Sequence, residues 1–312
     1  MFPTLSAAAA NSAKSQRAER PWLDALLAWY FVTVWGSGFL ATKVALHYTA
    51  PFTFLTLRFA FGTACLVPFL FITRPHWPAS RTDLAHAIIA GLLMHGTYLG
   101  GSHYTQYLGV SAGITAVLLS TQPLLTALIA SRWMGEALAG RQWLGIAAGL
   151  AGVVLVVWHK IDIHEMTFGS LLAVIIALFG VTAGTLYQRV FCPVIDLRAA
   201  AFLQFVTNLV VLAPLAWFVE GFKVQWAWPM FGALVFLVIG ASLLAVSALH
   251  ALMRRGQATR VTSLLYLTPI FAVVLEFAWF DVVPTALSLL GVAVTCTGVA
   301  LVAWRNRVGR TT

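Results

Sequence analysis

The sequence predicts an all-α integral membrane protein with ten transmembrane helices, arranged as two inverted five-helix repeats. Three observations predict this fold. The composition is too apolar for water, the apolar stretches have the length of a bilayer crossing, and the chain repeats itself at a spacing of 146 residues.

Of 312 residues, 60% are apolar or aromatic and only 9% are charged, whereas a soluble domain carries about 25% charged residues. Mean hydropathy is +0.88. Too few polar side chains remain to cover a water-facing surface, which excludes a soluble enzyme, a disordered chain and an ordinary nucleic-acid binder. The net charge of +9 then points to loops that face anionic lipid headgroups. Cys65, Cys192 and Cys296 lie far apart in or beside apolar runs. Their number and spacing give no metal site and no disulfide framework, so they read as small packing residues.

A hydrocarbon core of about 30 Å takes about 20 apolar residues as a helix, and the bilayer leaves no partner for unpaired backbone groups. Residues 1–21 are polar, rich in Ala and Ser, and lack the apolar core of a signal peptide, so they read as a flexible cytoplasmic tail. The first span runs 22–46. The second, 51–73, is opened by Pro51 and carries Arg58. The third, 83–107, is the richest in polar side chains. The fourth, 111–131, is interrupted by Pro123, and the fifth, 140–158, carries small residues at Gly145, Ala148, Gly149 and Gly152. The sixth, seventh and eighth run 168–189, 197–219 and 228–252. The ninth, 258–280, is interrupted by Pro269, and the tenth, 284–304, carries Gly291, Thr295 and Gly298 before a basic tail at 305–312. The breaks at 108–110 and 281–283 are the tightest.

Lys and Arg set the orientation. With the N-terminus inside, 15 basic residues fall in inner segments and only Lys43, Lys160 and Lys223 fall outside, with Arg58 left within a span. Dropping one helix inverts part of this asymmetry, so ten spans with both termini cytoplasmic is the expected topology.

Under the 146-residue shift, 112–158 lies over 258–304 without a gap, and 13 of those 47 positions are identical, Pro123/Pro269, Trp133/Trp279, Gly145/Gly291 and Gly152/Gly298 among them. Roughly one in ten is the background for so biased a composition. The shift also pairs Gly38 with Gly184, Lys43 with Arg189 and Pro68 with Pro214. The repeats are therefore 22–158 and 168–304. Five helices is an odd number, so the second copy enters from the opposite face. Inverted repeats of this kind build secondary transporters with a site where the halves meet, although duplication also builds inert bundles and channels.

The residues Trp35-Gly36-Ser37-Gly38-Phe39 with Lys43, Pro51 with Arg58, Ser111-Ala112, Pro123, Trp133-Met134-Gly135-Glu136 and Gly145 to Gly152 resemble the EamA family of the drug/metabolite transporter superfamily. Ala258, Pro269, Gly291 and Gly298 supply the second copy. The resemblance covers nearly the whole chain after Pro21. It implies ten helices, an inner-membrane location and export of amino acids or other small metabolites. The second copy departs from the first by carrying Asp281-Val282 where Gly135-Glu136 stands.

Ionisable residues within a span default to functional candidates. Arg58 lies about 10 Å into the bilayer at 1.5 Å per residue; it either serves the site or snorkels outward. Glu276 lies about 6 Å from the outer end of its span, where it lines the cavity, binds a proton or hydrogen-bonds at the interface. Both lie in the outer half, so a Glu276–Arg58 charge pair that couples transport to protons is expected if their spans face one cavity. In the third span His95, Tyr98, Ser102 and Gln106 share one helical face and form a candidate cavity wall, or else interhelical hydrogen bonds worth about 0.6 kcal/mol each. His103 and Tyr104 fall on neighbouring faces. Trp35, Tyr187, Gln188, Gln204, Asn208 and Tyr266 are further candidates of the same kind. Pro123 and Pro269 break equivalent spans and free carbonyls one turn earlier, as candidate hinges or as static kinks. The small-residue stripes of spans five and ten either join two protomers as a homodimer or pack within one.

Two other classes fit the sequence less well. An intramembrane enzyme is disfavoured because His164-Glu165 is followed by Phe168 where a zinc site needs its second His, and Gly36-Ser37-Gly38 lacks the full nucleophile frame. A channel, or a non-transporting sensor or scaffold, lacks a charged ring or filter loop. No Walker A sequence is present, so the energy source is a proton gradient or downhill diffusion. The expected partners are a small-molecule substrate and the lipid bilayer, with no cofactor, no metal and no nucleic acid.

Overall fold

The computed structural model describes residues 21–135, 137–162, 166–245, 247–248, 252 and 267–303. The chain is helical almost throughout. The helices are α1 (Pro21–Leu46), α2 (Pro51–Thr73), α3 (Arg81–Gly91), π1 (Leu92–Thr97), α4 (Tyr98–Tyr107), α5 (Ala112–Leu119), α6 (Gln122–Trp133), α7 (Gly140–Asp162), α8 (Phe168–Phe191), α9 (Leu197–Glu220), α10 (Trp228–Val235), π2 (Phe236–Ala245), α11 (Thr268–Phe280) and α12 (Ala286–Ala303). Among the described residues, extended pairing is limited to one bridge, Thr49 with Val224. Seven helical stretches, counting α5–α6 and α10–π2 as one each, are long and apolar enough to cross a membrane. Their outer surfaces are apolar: Ile72, Phe218 and Trp228 are each more than 80% exposed, a pattern that suits lipid and not water.

The termini of the helices are written locally. Pro51 opens α2, where its missing N–H costs nothing. Ser80, Ser111, Thr167 and Asp196 each accept a backbone N–H at the start of α3, α5, α8 and α9. At the ends of α6 and α11, Gly135 (φ +69°) and Asp281 (φ +53°) both adopt the left-handed conformation. The 146-residue shift places Asp281 on Gly135, one of the two positions of the Gly135-Glu136 pair that the second copy replaces with Asp281-Val282. Asp is among the few non-glycine residues that visit this region readily, so the turn is retained although Gly-Glu is not.

Packing follows the duplication. α7 packs on α12, α2 on α9, α5 on α11, and α3 to α4 on α8, while α1 packs on α10 and π2. The 146-residue shift converts the α7–α12 and α2–α9 pairs into themselves and exchanges the packing of α3 to α4 on α8 with that of α1 on α10 and π2. The closest approach is α7 on α12: a Cβ on Gly152 would stand 2.7 Å from the Gly291 carbonyl oxygen, and one on Gly145 would stand 2.7 Å from that of Gly298. The small-residue stripes expected to serve either one protomer or two thus meet each other inside one chain. The main apolar cluster lies between α1 and the α10–π2 helix, around Phe31, Val32, Met230 and Val238.

The third and eighth spans both contain a π-helical segment. The shift carries 92–97 onto 238–243, which lies within π2. A π turn inserts one residue into the helical ladder and is frequent at functional sites. Matched irregularities in the two copies point to a central site. Proline was the sequence signal for such breaks, and neither π segment contains one.

Candidate functional site: a buried arginine between the two copies

Arg58 projects from α2 into the interior, where its Nη2 donates to Ser242 Oγ of π2 at 3.2 Å. Ser242 in turn donates to the Leu237 carbonyl at 3.0 Å, five residues back, so the wide π turn itself aims that oxygen at the guanidinium. Arg58 lies within electrostatic reach of His95, Tyr98 and His103. His95 sits on π1 and donates from Nε2 to Gln204 Oε1 of α9 at 3.1 Å. Its ring is held edge-on by Phe59 and Phe205 at 6.1 and 5.6 Å. Asn208 Nδ2 reaches the Gly91 carbonyl at 3.0 Å and that of Gln204 at 2.7 Å, which ties α9 to the helix just before π1. On its far side π1 lies against α8, where a Cβ on Gly180 would stand 2.8 Å from the Thr97 side chain. The polar cluster around Arg58 thus draws on α2, π1 and α4 from the first copy and on α9 and π2 from the second.

The residues of the predicted face of the third span meet different neighbours. His95 turns toward α9, whereas Tyr98 packs against a cluster that includes Phe39, Ile114, Leu118 and Val174. Ser102 and Gln106 are both buried, and neither polar atom of the Gln106 amide has a hydrogen-bond partner among the described residues. The π turn at 92–97 lies between His95 and the regular helix that follows, so simple 3.6-residue spacing fails across it. His103, placed on a neighbouring face by that spacing, stacks on Phe54 at 5.9 Å and lies close to Arg58. Trp35 packs on Phe31 at 5.3 Å, beside the α1–π2 cluster. Tyr187 is elsewhere: its hydroxyl and His86 Nδ1 are 2.7 Å apart near the start of α3, at the other end of the bundle. Tyr266 lies outside the described residues.

Glu276 has a partner other than the one the sequence indicated. Its Oε1 accepts from Lys43 Nζ at 2.7 Å and from the Ala112 N–H at 2.9 Å, and its Oε2 accepts from the Gly113 N–H at 2.7 Å. The expected pair with Arg58 is replaced by this one because Lys43, at the end of α1, reaches the same helix ends. The Lys43 ammonium also lies 4.5 Å from the centre of the Phe280 ring. A carboxylate suits the first turn of α5, whose amides have no partner within the helix. Glu220 repeats the arrangement at the start of α2, accepting from the N–H groups of Phe52 and Thr53 at 3.0 and 2.7 Å and from Thr53 Oγ1 at 2.7 Å. This end of the bundle is also held by Gln225 N–H on the Tyr48 carbonyl at 2.8 Å and Thr49 Oγ1 on that of Lys223 at 3.0 Å.

Pro123 sits at the start of α6, after a break at Ser120–Thr121 that separates it from α5. Pro269 occupies the equivalent position at the start of α11. No group of three or more His, Cys, Asp or Glu that would hold a metal occurs among the described residues.

Comparison with known proteins agrees with this architecture. The model of the EamA-like transporter family matches residues 22–158 and again 167–304. The chain is 27% identical to the uncharacterized transporter YvbV of Bacillus subtilis, over 91% of this chain and 92% of that one. It is 29% identical to the uncharacterized inner membrane transporter YedA of Escherichia coli K12, over 82% and 81%. A protein of the same bacterium named "Probable amino-acid metabolite efflux pump" is 23% identical over 91% of this chain and 97% of its own. A solved crystal structure superposes with a TM-score of 0.61 at 20% identity, over 89% of this chain and 95% of that one, a likeness of fold alone.

Proposed function

The chain belongs to the EamA-like transporter family, and from that premise we propose that it is a secondary transporter that exports amino acids or other small metabolites across the inner membrane by alternating access. The relatives are named as transporters and not as enzymes. The observation that carries the reading is the polar cluster around Arg58, drawn from helices of both copies. A site shared by two similar halves can open to either side as the halves exchange conformations.

In this reading the seven long apolar helices are joined by three further crossings, at 81–107, 268–280 and 286–303, and the two five-helix repeats are inverted. The Lys43–Glu276 end then faces outward and the Arg-rich loops face the cytoplasm. Glu276 is the coupling residue, and Pro123 and Pro269 are hinges at the starts of α6 and α11. The test is efflux from proteoliposomes loaded with a metabolite panel, with and without a pH gradient. Saturable release that depends on the protein supports the reading. Release of nothing in the panel, at any gradient, overturns it.

A further inference from the structure

We propose that Arg58 is the anchor for a carboxylate on the transported molecule, so that the substrates are carboxylate-bearing metabolites held by that group against α2. The inference rests on the transporter reading above and names the substrate class of the same cluster.

The charge inventory of the cluster leads there. A guanidinium offers five donors and stays protonated, and among the described residues Arg58 meets one acceptor, the Ser242 hydroxyl. No carboxylate pairs with it among those residues. The two acidic side chains at the nearest helix ends are already engaged, Glu276 by Lys43 and the start of α5, and Glu220 by the start of α2. The other groups of the cluster are neutral or aromatic: Gln204 is committed to His95, and Tyr98 and His103 complete the surroundings. An arginine inside a membrane protein is costly without a countercharge, yet this one keeps partial access. Its remaining donors meet no acceptor among the described residues and are left to take one from a cargo. The planar fork of Arg matches a carboxylate in two parallel hydrogen bonds. A phosphate dianion fits less well, because Lys43, the cation at the outer end of α1, is bound to Glu276 and leaves the guanidinium alone to balance two charges.

Position supports the assignment. The serine and the histidine beside Arg58 come from the two π segments, which occupy equivalent places in the two copies. A bound carboxylate would bridge α2 to both irregular helices, the elements best able to shift by one residue.

The experiment loads proteoliposomes with amino acids, their amides, phosphate monoesters, and uncharged nucleosides and amines, and reads release by the wild type, Arg58→Lys and Arg58→Gln. Thermal unfolding of the purified full chain with each compound is read in parallel. The expected result is that at least one amino acid is released and raises the unfolding temperature, with its amide at least tenfold weaker. Arg58→Lys should lose at least tenfold in apparent affinity, and Arg58→Gln should lose the preference for acid over amide. Equal handling of acid and amide by the wild type overturns the proposal, as does preference for phosphate monoesters, or release of nucleosides or amines alone. Each of those results leaves the transporter reading standing. Stabilisation by acids without release of any compound overturns the transporter reading and keeps the anchor. Neither release nor stabilisation overturns both. If Arg58→Gln does not fold, the comparison of acid with amide on the wild type and on Arg58→Lys still decides.

Discussion

Lys43 Nζ lies 2.7 Å from Glu276 Oε1, across 233 residues of sequence, and the same carboxylate closes the first turn of α5 through Ala112 and Gly113. One side chain of α11 therefore holds the ends of α1 and α5 together. Glu276 is only 2% exposed, so its charge relies on these donors and not on water. Removing one partner of a buried pair costs about 3–5 kcal/mol because the other charge is left uncompensated. This is a latch at one end of the bundle, and separating α1 from α11 there requires that it be broken.

The first prediction tests the latch by coupling. Lys43→Met should lower the unfolding temperature of the detergent-purified protein markedly, and Glu276→Gln less so, because Gln keeps an oxygen for the α5 amides. The double variant should be more stable than the two single losses added together. Additive losses in a thermal-denaturation cycle would mean that the two groups do not support each other.

The sequence carried the architecture and missed the wiring. Composition and the 146-residue shift were enough to expect paired helices, because both are properties of the whole chain. Arg58 and Glu276 stood out as ions within apolar runs, where few other charges occur. Their partners were not legible: Lys43 lies at the end of α1 and reads as a loop charge until the ends of α1, α5 and α11 are brought together. The π segments were hidden for a different reason. An inserted residue in a helical ladder needs no proline, and across it His95 turns to Gln204 of α9 while Tyr98 packs toward α5 and α8. His103 was set aside by the same regular spacing.

Pro123 and Pro269 begin equivalent helices, and in α5–α6 a break precedes the proline. Proline removes an N–H and loosens the preceding turn. Pro123→Ala together with Pro269→Ala should slow transport severalfold while leaving the elution profile and unfolding temperature close to wild type. Wild-type rates in the double variant would make both prolines static kinks.

The glycines between α7 and α12 permit backbone contact. Gly298→Leu places a large side chain where Gly145 and Gly149 leave no room, and overpacking of this kind costs about 1–3 kcal/mol or more. The variant should unfold at a lower temperature, and Gly140→Leu, where a Cβ meets nothing within 4 Å, should not. Equal behaviour of the two would mean that the α7–α12 contact is not close-packed.

The proposed orientation rests on the basic residues of the loops. Cysteines placed at positions 5 and 310, in segments outside the described residues, should resist an impermeant thiol reagent in intact cells and react after permeabilisation. A cysteine at position 223, in the loop after α9, should react without permeabilisation. Labelling of either terminus in intact cells would invert the arrangement or change the number of crossings.

The last prediction concerns what releases the latch. The Glu276 carboxylate is held by an ammonium and two backbone amides, and it lets go of Lys43 when its negative charge is neutralised or when another cation competes for it. In the coupling role proposed above, a proton would do the first and the amino group of a substrate the second. On that proposal either event would free Lys43 and open the contact between α1 and α11. Gln at position 276 mimics the neutral carboxyl permanently, so it should leave the latch weakened at every pH. The expected result for Glu276→Gln in proteoliposomes is that transport persists down a substrate gradient but no longer accelerates when a pH gradient is imposed, whereas the wild type does. Lys43→Met tests the other half of the pair: it also weakens the latch but keeps the titrating group, so its response to the gradient should be reduced and not abolished. Full acceleration by the gradient in Glu276→Gln would remove this residue from coupling and leave it as the cap that joins α11 to α5.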